Sequence, residues 1–454
     1  MTNSRDTKID VPPLPRSTVW VHGSLGLPLA VVGYPIAIWV IPHYSGALGV
    51  SLAAVGTMLM LARISDVVTD PLIGFASDHL RTRFGRRKPW ILIGMPLMMV
   101  GIWMLFVPAP GAGVLYLLWW LFVMMLGSTL ISLPYGAWGA ELSMDYHQRS
   151  RVTAAREIFV LGGLLLAAFV PFMVEYFGDR TTGPVLEALA WTILVVLPVC
   201  GFLVLRFVRE PDVRGRENIP LSEGLGHMRA NGPLKRVLLI ILLVTFGEAF
   251  RNALSLFFMR DVVGIETIGT AYLVYFATGL AAIPLWLALG RRVGKHRAFA
   301  VSMFSVSLIS VAMYFLERGD YWPFMLFFLA KGFCFGGLQF LPLAMLADVV
   351  DVDSLRSGGR RAGAFFASAG MTSKAATAFG SGVSVNFLAL TGFDPSGQLG
   401  ANGVLQLGSL AVLYAIVPAI FFCSALYIAW HYPLTSERHA ELRAELAARG
   451  DAVS

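Results

Sequence analysis

Charge is what this chain has least of. Asp, Glu, Lys and Arg make up 14% of its 454 residues, where a soluble domain carries about 25%. With a mean hydropathy of +0.69, that deficit excludes a water-soluble globular protein. Cysteine is nearly absent. Cys200, Cys334 and Cys423 lie far apart in apolar segments, which excludes a disulfide framework or a thiolate metal site and reads as three small buried hydrophobes. The eight histidines, among them His22, His43, His79 and His147, show no ligand spacing. Neither a nucleophile elbow nor a phosphate loop occurs. An enzyme is therefore not expected, and no cofactor is implied. Residues 1–16 hold Pro12, Pro13 and Pro15 but no apolar core or small-residue cleavage site, so no cleaved signal peptide is expected.

What the chain has in abundance is long apolar runs, each of roughly 20 residues and long enough to span a bilayer. A β-barrel would show short alternating segments instead. Spans are expected near 19–43, 51–78, 89–108, 114–140, 153–176, 186–208, 236–260, 267–290, 297–316, 321–348, 364–391 and 404–431. The basic residues fall after the even-numbered spans. Arg81, Arg83, Arg86, Arg87 and Lys88 follow the second; Arg149, Arg151 and Arg156 follow the fourth. Arg209, Arg214, Arg216 and Arg229 follow the sixth, Arg291, Arg292, Lys295 and Arg297 the eighth, and Arg356, Arg360 and Arg361 the tenth. Opposite loops offer only Arg180, Arg260 and Arg318. By the positive-inside rule both termini are cytoplasmic. The formal charge of +7 is thus a topology signal and does not point to nucleic acid.

The fold class is all-α: a polytopic membrane protein of twelve transmembrane helices in two six-helix pseudo-repeats. The expected division is a cytoplasmic segment 1–18, a first bundle 19–208, a central loop 209–235, a second bundle 236–432 and a cytoplasmic tail 433–454. A short surface helix is expected at 220–228 and a soluble charged helix from Glu437 to Arg449. The second exit of each half carries glycine, arginine and lysine: Gly85-Arg86-Arg87-Lys88 in one, Gly290-Arg291-Arg292-Val-Gly294-Lys295 in the other. Two six-helix repeats are a transporter plan, with the site near the midplane between them.

Against this apolar background a few charges stand out. Arg63, Asp66 and Asp70 fall within an arc of about 60° on one helix face. A charge at bilayer depth costs at least roughly 2.5–3.5 kcal/mol, and intramembrane charges mark functional sites. Glu248 and Arg251 are spaced to pair on one helix, whereas Lys331 needs an acid, a cavity or an interface to snorkel to. Tyr34, Trp39, Tyr135, Trp138 and Gln339 are candidates to line a central cavity, with helix or lipid packing as the alternative for the aromatics. Gly332, Gly336 and Gly337 suit close helix approach. After the second span, Asp78, Arg81, Gly85 and Arg86 form a candidate gating loop with Arg149; the alternative is that these cations only set topology.

The segment Arg63-x-x-Asp66-x-x-x-Asp70-Pro71-x-x-Gly74-x-x-x-Asp78, with Arg81-Thr-Arg83-x-Gly85-Arg86-x-x-Pro89-Trp90, resembles the glycoside–pentoside–hexuronide:cation symporters of the major facilitator superfamily. Pro134-Tyr135 with Glu141-Leu-Ser-x-Asp145-Tyr146-x-x-Arg149-Ser150, and Met345-Leu-Ala-Asp348-x-x-Asp351 with Lys374, agree. The resemblance implies that Asp66, Asp70 and Thr129 bind the coupling cation, sodium or a proton, with Lys374 beside the acids. It also implies where this chain departs. A sugar-gripping acid of the first helix is replaced by apolar residues around Leu27-Pro28, the acid before the Pro-aromatic pair is Ser132, and an aromatic after it is Gly136.

Asp66 and Asp70 lie about 6 Å apart along the axis, and two carboxylates in low dielectric need a countercharge. Arg63 and Lys374 supply two. A sodium ion at Asp66 and Asp70, or a proton on one acid, would free a cation to move; the alternative is a static salt-bridge lattice joining the second and eleventh helices. The expected function is cation-coupled symport of a small organic solute, a sugar or glycoside by resemblance, by alternating access. Carriage of an amphipathic lipid-like solute, efflux or uniport, and a transporter-derived sensor are the alternatives. The expected setting is a bacterial inner membrane, with the lipid bilayer and a small-molecule substrate as partners, no nucleic acid, and a monomer.

Overall fold

The computed structural model describes residues 14–80, 82–143, 145–211, 231–357, 362–398 and 400–434, together with Glu441 and Glu445. Arg81, the helix expected at 220–228 and nearly all of the expected tail helix lie outside them. Among the described residues the chain runs through twelve long helical segments. They are α1 Arg16–Ala47, α2 Leu52–His79, α3 Lys88–Phe106, α4 Val114–Glu141, α5 Tyr146–Tyr176 and α6 Thr182–Phe207. After the central loop come α7 Gly232–Val263, α8 Ile268–Val293, α9 Lys295–Met313, α10 Tyr321–Ser357, α11 Ala362–Leu390 and α12 Val404–Trp430.

Eleven of these are long and apolar enough to cross a membrane. The remaining one, α11, spans 29 residues but is built largely of Ala, Gly, Ser and Thr around Lys374. It packs against both α2 and α7. A helix enclosed by others needs small side chains for close approach more than it needs hydropathy. Gly382 shows why: a Cβ there would stand 2.8 Å from Cβ of Met60 on α2.

Several helices overrun the apolar runs that announce them. α5 begins at Tyr146 rather than near 153, because Asp145 caps it, its carboxylate accepting from Gln148 N at 2.8 Å. α7 begins at Gly232, capped by Asn231, whose side chain accepts from Leu234 N at 3.0 Å. α10 continues to Ser357, past its apolar part. Hydropathy reports where the lipid ends; capping decides where the helix ends. Pro35 and Pro42 in α1 each precede a widened π-type turn, Ile36–Val40 and His43–Ala47. Each proline removes an N–H from the ladder, and the wider turn absorbs the mismatch.

The two halves meet along α2 and α11, α5 and α8, and α1 and α7. Apart from the Lys374–Asp70 bond, the direct bonds between them gather at the end whose loops carry few basic residues. Glu175, at the end of α5, accepts from Gly269 N at 2.5 Å and Thr270 N at 3.2 Å, the first turn of α8. Thr57 Oγ1 donates to Asn386 Oδ1 at 3.4 Å, and Arg180 pairs with Glu266. A Cβ on Gly46 would stand 2.6 Å from the Pro395 carbonyl oxygen. One apolar core runs through the first half and on into this end of the second, taking in Phe257, Tyr272 and Val385. The basic-loop end of the second half has its own core around Phe299, Met345 and Phe422. The molecule is therefore closed at the end with few basic residues. The three cysteines are unpaired: Cys334 is buried and Cys200 half-buried, but Cys423 is exposed. The expectation of three buried thiols fails at Cys423 because an apolar helix face can be turned to lipid as well as to the core.

Candidate functional site

Asp66 and Asp70 stand one turn apart on α2, and α11 brings Lys374 to both. The Lys374 ammonium bonds Asp70 Oδ2 and lies 3.9 Å from Asp66 Oδ2. Thr129, from α4, donates to Asp70 Oδ1 at 3.2 Å. Neighbouring hydroxyls do not compete, since Ser65 and Thr69 bond back to carbonyls of their own helix. Asp66 is 5% exposed, and its Oδ1 is buried without a hydrogen-bond partner among the described residues. Arg63 lies within electrostatic reach of Asp66 but forms no ion pair among the described residues. Among the described residues the countercharge in direct contact is thus Lys374. Its side chain is 38% exposed, so the cluster opens onto space between the halves.

The loop after α2 forms a compact network. Thr82 and Gly85 close a tight turn on each other, with Gly85 at φ +114°, a conformation that suits glycine. Arg87 is 3% exposed and pairs with Asp78 and with Glu141, both at 2.6 Å. Arg86 reaches Glu141 at 2.7 Å, and the Arg86 and Arg87 amides both donate to Glu210 Oε1, at 2.7 and 2.8 Å. Burial opposes the Arg87 charge, but Glu141 and then Asp78 hold it above the ordinary arginine range. Arg149 donates from Nε to the Ser143 carbonyl at 2.7 Å. The partner of Asp78 is therefore Arg87 and not Arg86, because the turn at Gly85 sends the second arginine inward. All of these bonds join parts of the first half.

A second charged cluster sits in the other half. Arg251, fully buried, bonds Glu248 through Nη2 and Ser310 Oγ through Nη1, the latter at 2.9 Å. Lys331 of α10, 3% exposed, lies 3.9 Å from Glu248 Oε2. Its ammonium stands 5.0 Å from the Tyr275 ring centre and 5.3 Å from that of Phe328, within cation–π range. Lys331 thus finds its acid in Glu248 rather than at an interface.

The candidate cavity residues separate. Tyr34 meets the Phe276 ring edge-on at 4.6 Å between centroids, across the α1–α8 junction. Ser132 is half-buried and Gln339 exposed. Tyr135 and Trp138 do not line a cavity. Tyr135 is buried and donates to the His22 carbonyl at 2.9 Å. Trp138 is fully buried, with Nε1 donating to the Arg209 carbonyl at 3.4 Å and Lys88 over its ring. Both polar tips are consumed inside the first bundle, and helical phase alone does not show that. Sequence reasoning passed over Glu175, Glu210 and Ser310. Glu175 did carry a signal, as an acid at the end of a span on the side where basic residues are scarce.

The family described as MFS/sugar transport protein matches residues 21–436. The chain belongs to that family. It is a multi-pass membrane transporter of the major facilitator fold and not an enzyme. The glucuronide carrier protein homolog of Escherichia coli (strain K12) is 28% identical to this transporter over 428 residues, covering 90% of this chain and 91% of that protein. The putative glycoside/cation symporter YagG of the same organism is 25% identical over 427 residues, covering 90% and 91%. Among solved structures, a bacterial homolog of the human lysosomal transporter Spinster superposes with a TM-score of 0.67 at 11% identity, covering 94% of this chain and 98% of that one. That likeness is one of fold.

Proposed function

We propose that this transporter couples entry of sodium or a proton at Asp66 and Asp70 to the carriage of a sugar or glycoside by alternating access. One observation carries the reading: a buried carboxylate oxygen, Asp66 Oδ1, lacks a partner in a cluster whose lysine comes from the opposite half. With Arg63 and Lys374 the cluster is formally neutral. An arriving cation takes the bare oxygen and shares Asp70 with Thr129, which makes Lys374 surplus. Released from Asp70, Lys374 no longer ties α11 to α2, and the halves can rock apart there. The coupling is reciprocal: whatever solute binding does to ion affinity, ion binding does to solute affinity. The symporter and glycoside names of the relatives above agree with this reading. It takes the basic loops and both termini as cytoplasmic, in a bacterial inner membrane, with a monomer as the working unit.

The test is uptake into proteoliposomes under an imposed sodium or proton gradient. Asp66→Asn keeps the shape of the side chain and removes its charge. Gradient-driven accumulation should fall at least about tenfold, in the range of ordinary coupling energies, while thermal unfolding stays cooperative. Unchanged gradient dependence in that variant would overturn the reading.

A further inference from the structure

The α2–α11 cluster sets two acids against two bases. The cluster on α7 and α10 does not balance: Glu248 is its one acid, and Arg251 and Lys331 are both basic. The charged groups that act on Lys331 are Arg251 and Glu248. Neighbouring elements contribute neutral groups: Tyr275 and Phe328 beneath the ammonium, Ser310 and Phe422 around the guanidinium. Two cations share one acid, so the buried cluster carries a net charge of +1, an arrangement that is costly in a static lattice. Two further details mark the site as incomplete. Arg251 Nε is buried with no acceptor, and the Lys331 ammonium makes no hydrogen bond, resting instead 3.9 Å from Glu248. The cluster is not sealed either. The Glu248 side chain is 18% exposed, and Tyr34 of α1 lies within its electrostatic reach, so it faces the junction between the halves.

We propose that Lys331, held beside the Glu248–Arg251 pair, is a subsite for a carboxylate carried by the transported solute. Glu248 already shows how a carboxylate sits among these cations. A second carboxylate entering from the Tyr34 side takes Lys331 and leaves Glu248 to Arg251, so one charged triad becomes two neutral pairs. The aromatic rings under Lys331 hold the ammonium in place while it waits, in an environment that strengthens the new bond. The inference rests on the symport reading and narrows it: the favoured solute is a singly anionic glycoside rather than a neutral one. The solute's charge is then read in the second half of the molecule, whereas ion binding belongs to Asp66 and Asp70 on α2.

Two probes that differ in one group test this, phenyl β-D-glucuronide and phenyl β-D-glucoside. Their binding to purified full-length transporter is measured by calorimetry. The glucuronide should bind at least about tenfold more tightly, the size of one charge-assisted bond. Lys331→Met should erase that preference while leaving glucoside binding in place, and Lys331→Arg should retain it. Glu248→Gln removes the competing acid and should increase the preference, an outcome that a purely structural role does not produce and that does not depend on Lys331→Met folding. Equal binding of both probes, or a preference that survives Lys331→Met, overturns the subsite and leaves the symport reading standing. Binding of neither probe overturns both.

Discussion

Asp66 has one oxygen near Lys374 and the other bare, and in the proposed coupling the difference between its two oxygens is the chemistry of the site. Thr129 is the neutral member of the group. Thr129→Val keeps the volume and deletes the donor to Asp70. A hydrogen bond to a charged group is worth about 1.5–3 kcal/mol, so the ion concentration for half-maximal uptake should rise by at least about tenfold, as measured by varying that ion at fixed solute. At this scale the sequence was partly legible. That Asp66, Asp70, Thr129 and Lys374 come together was legible because expensive charges in apolar helices and a recognisable motif point the same way. The pairing of Arg87 was not, because two adjacent arginines look alike until a turn at Gly85 decides which one faces in. Tyr135 and Trp138 misled for a related reason. Helical phase says which face a ring is on, and only tertiary packing says what its polar tip meets.

At the scale of elements, the contact of Glu175 with the first turn of α8 is a carboxylate on a helix N-terminus, where orphan N–H groups and the helix dipole favour negative charge. It joins the halves at the closed end. Glu175→Gln keeps an acceptor and loses the charge, worth about 1–2 kcal/mol in a buried geometry. The variant should open that end more often, read as faster labelling of a cysteine placed at Thr57; an unchanged labelling rate would show that the carboxylate does not hold the closure. Element boundaries were less legible than element identities. Runs of apolar residues marked all twelve spans, 364–391 among them; α11 is the least apolar of them because its small residues serve packing between α2 and α7. The overruns at Tyr146 and Ser357 follow from polar turns that continue a helix beyond the lipid.

For the whole molecule, two bundles are held at one end by apolar packing and by the bonds of Glu175, Thr57 and Arg180, and between α2 and α11 by Lys374; in the proposed coupling an ion shifts that balance. A cation that binds the folded protein stabilises it in proportion to its occupancy, by about 2.7 kcal/mol at a hundred times its dissociation constant. If sodium is the coupling ion, the detergent-solubilised protein should melt several degrees higher in sodium chloride than in choline chloride, and Asp70→Asn should abolish the difference. Equal melting in both salts for the unmodified protein points to the proton instead. The twelve-span plan was legible throughout because loop charge and hydropathy are set by the bilayer. The closed end was not, since no single residue encodes it. One feature of the whole has a practical use. A thiol attacks a maleimide only as the thiolate, and burial shields two of the three native thiols from the reagent. Cys334 is buried, Cys200 is half-buried, and Cys423 lies on the outer flank of α12 among Ile420, Ser424 and Tyr427. The chain is thus one substitution, Cys423→Ser, from a quiet spectroscopic background: a single cysteine then placed at the junction of the halves can carry a fluorophore or spin label and report relative motion of the halves with the two shielded native sulfurs left in place.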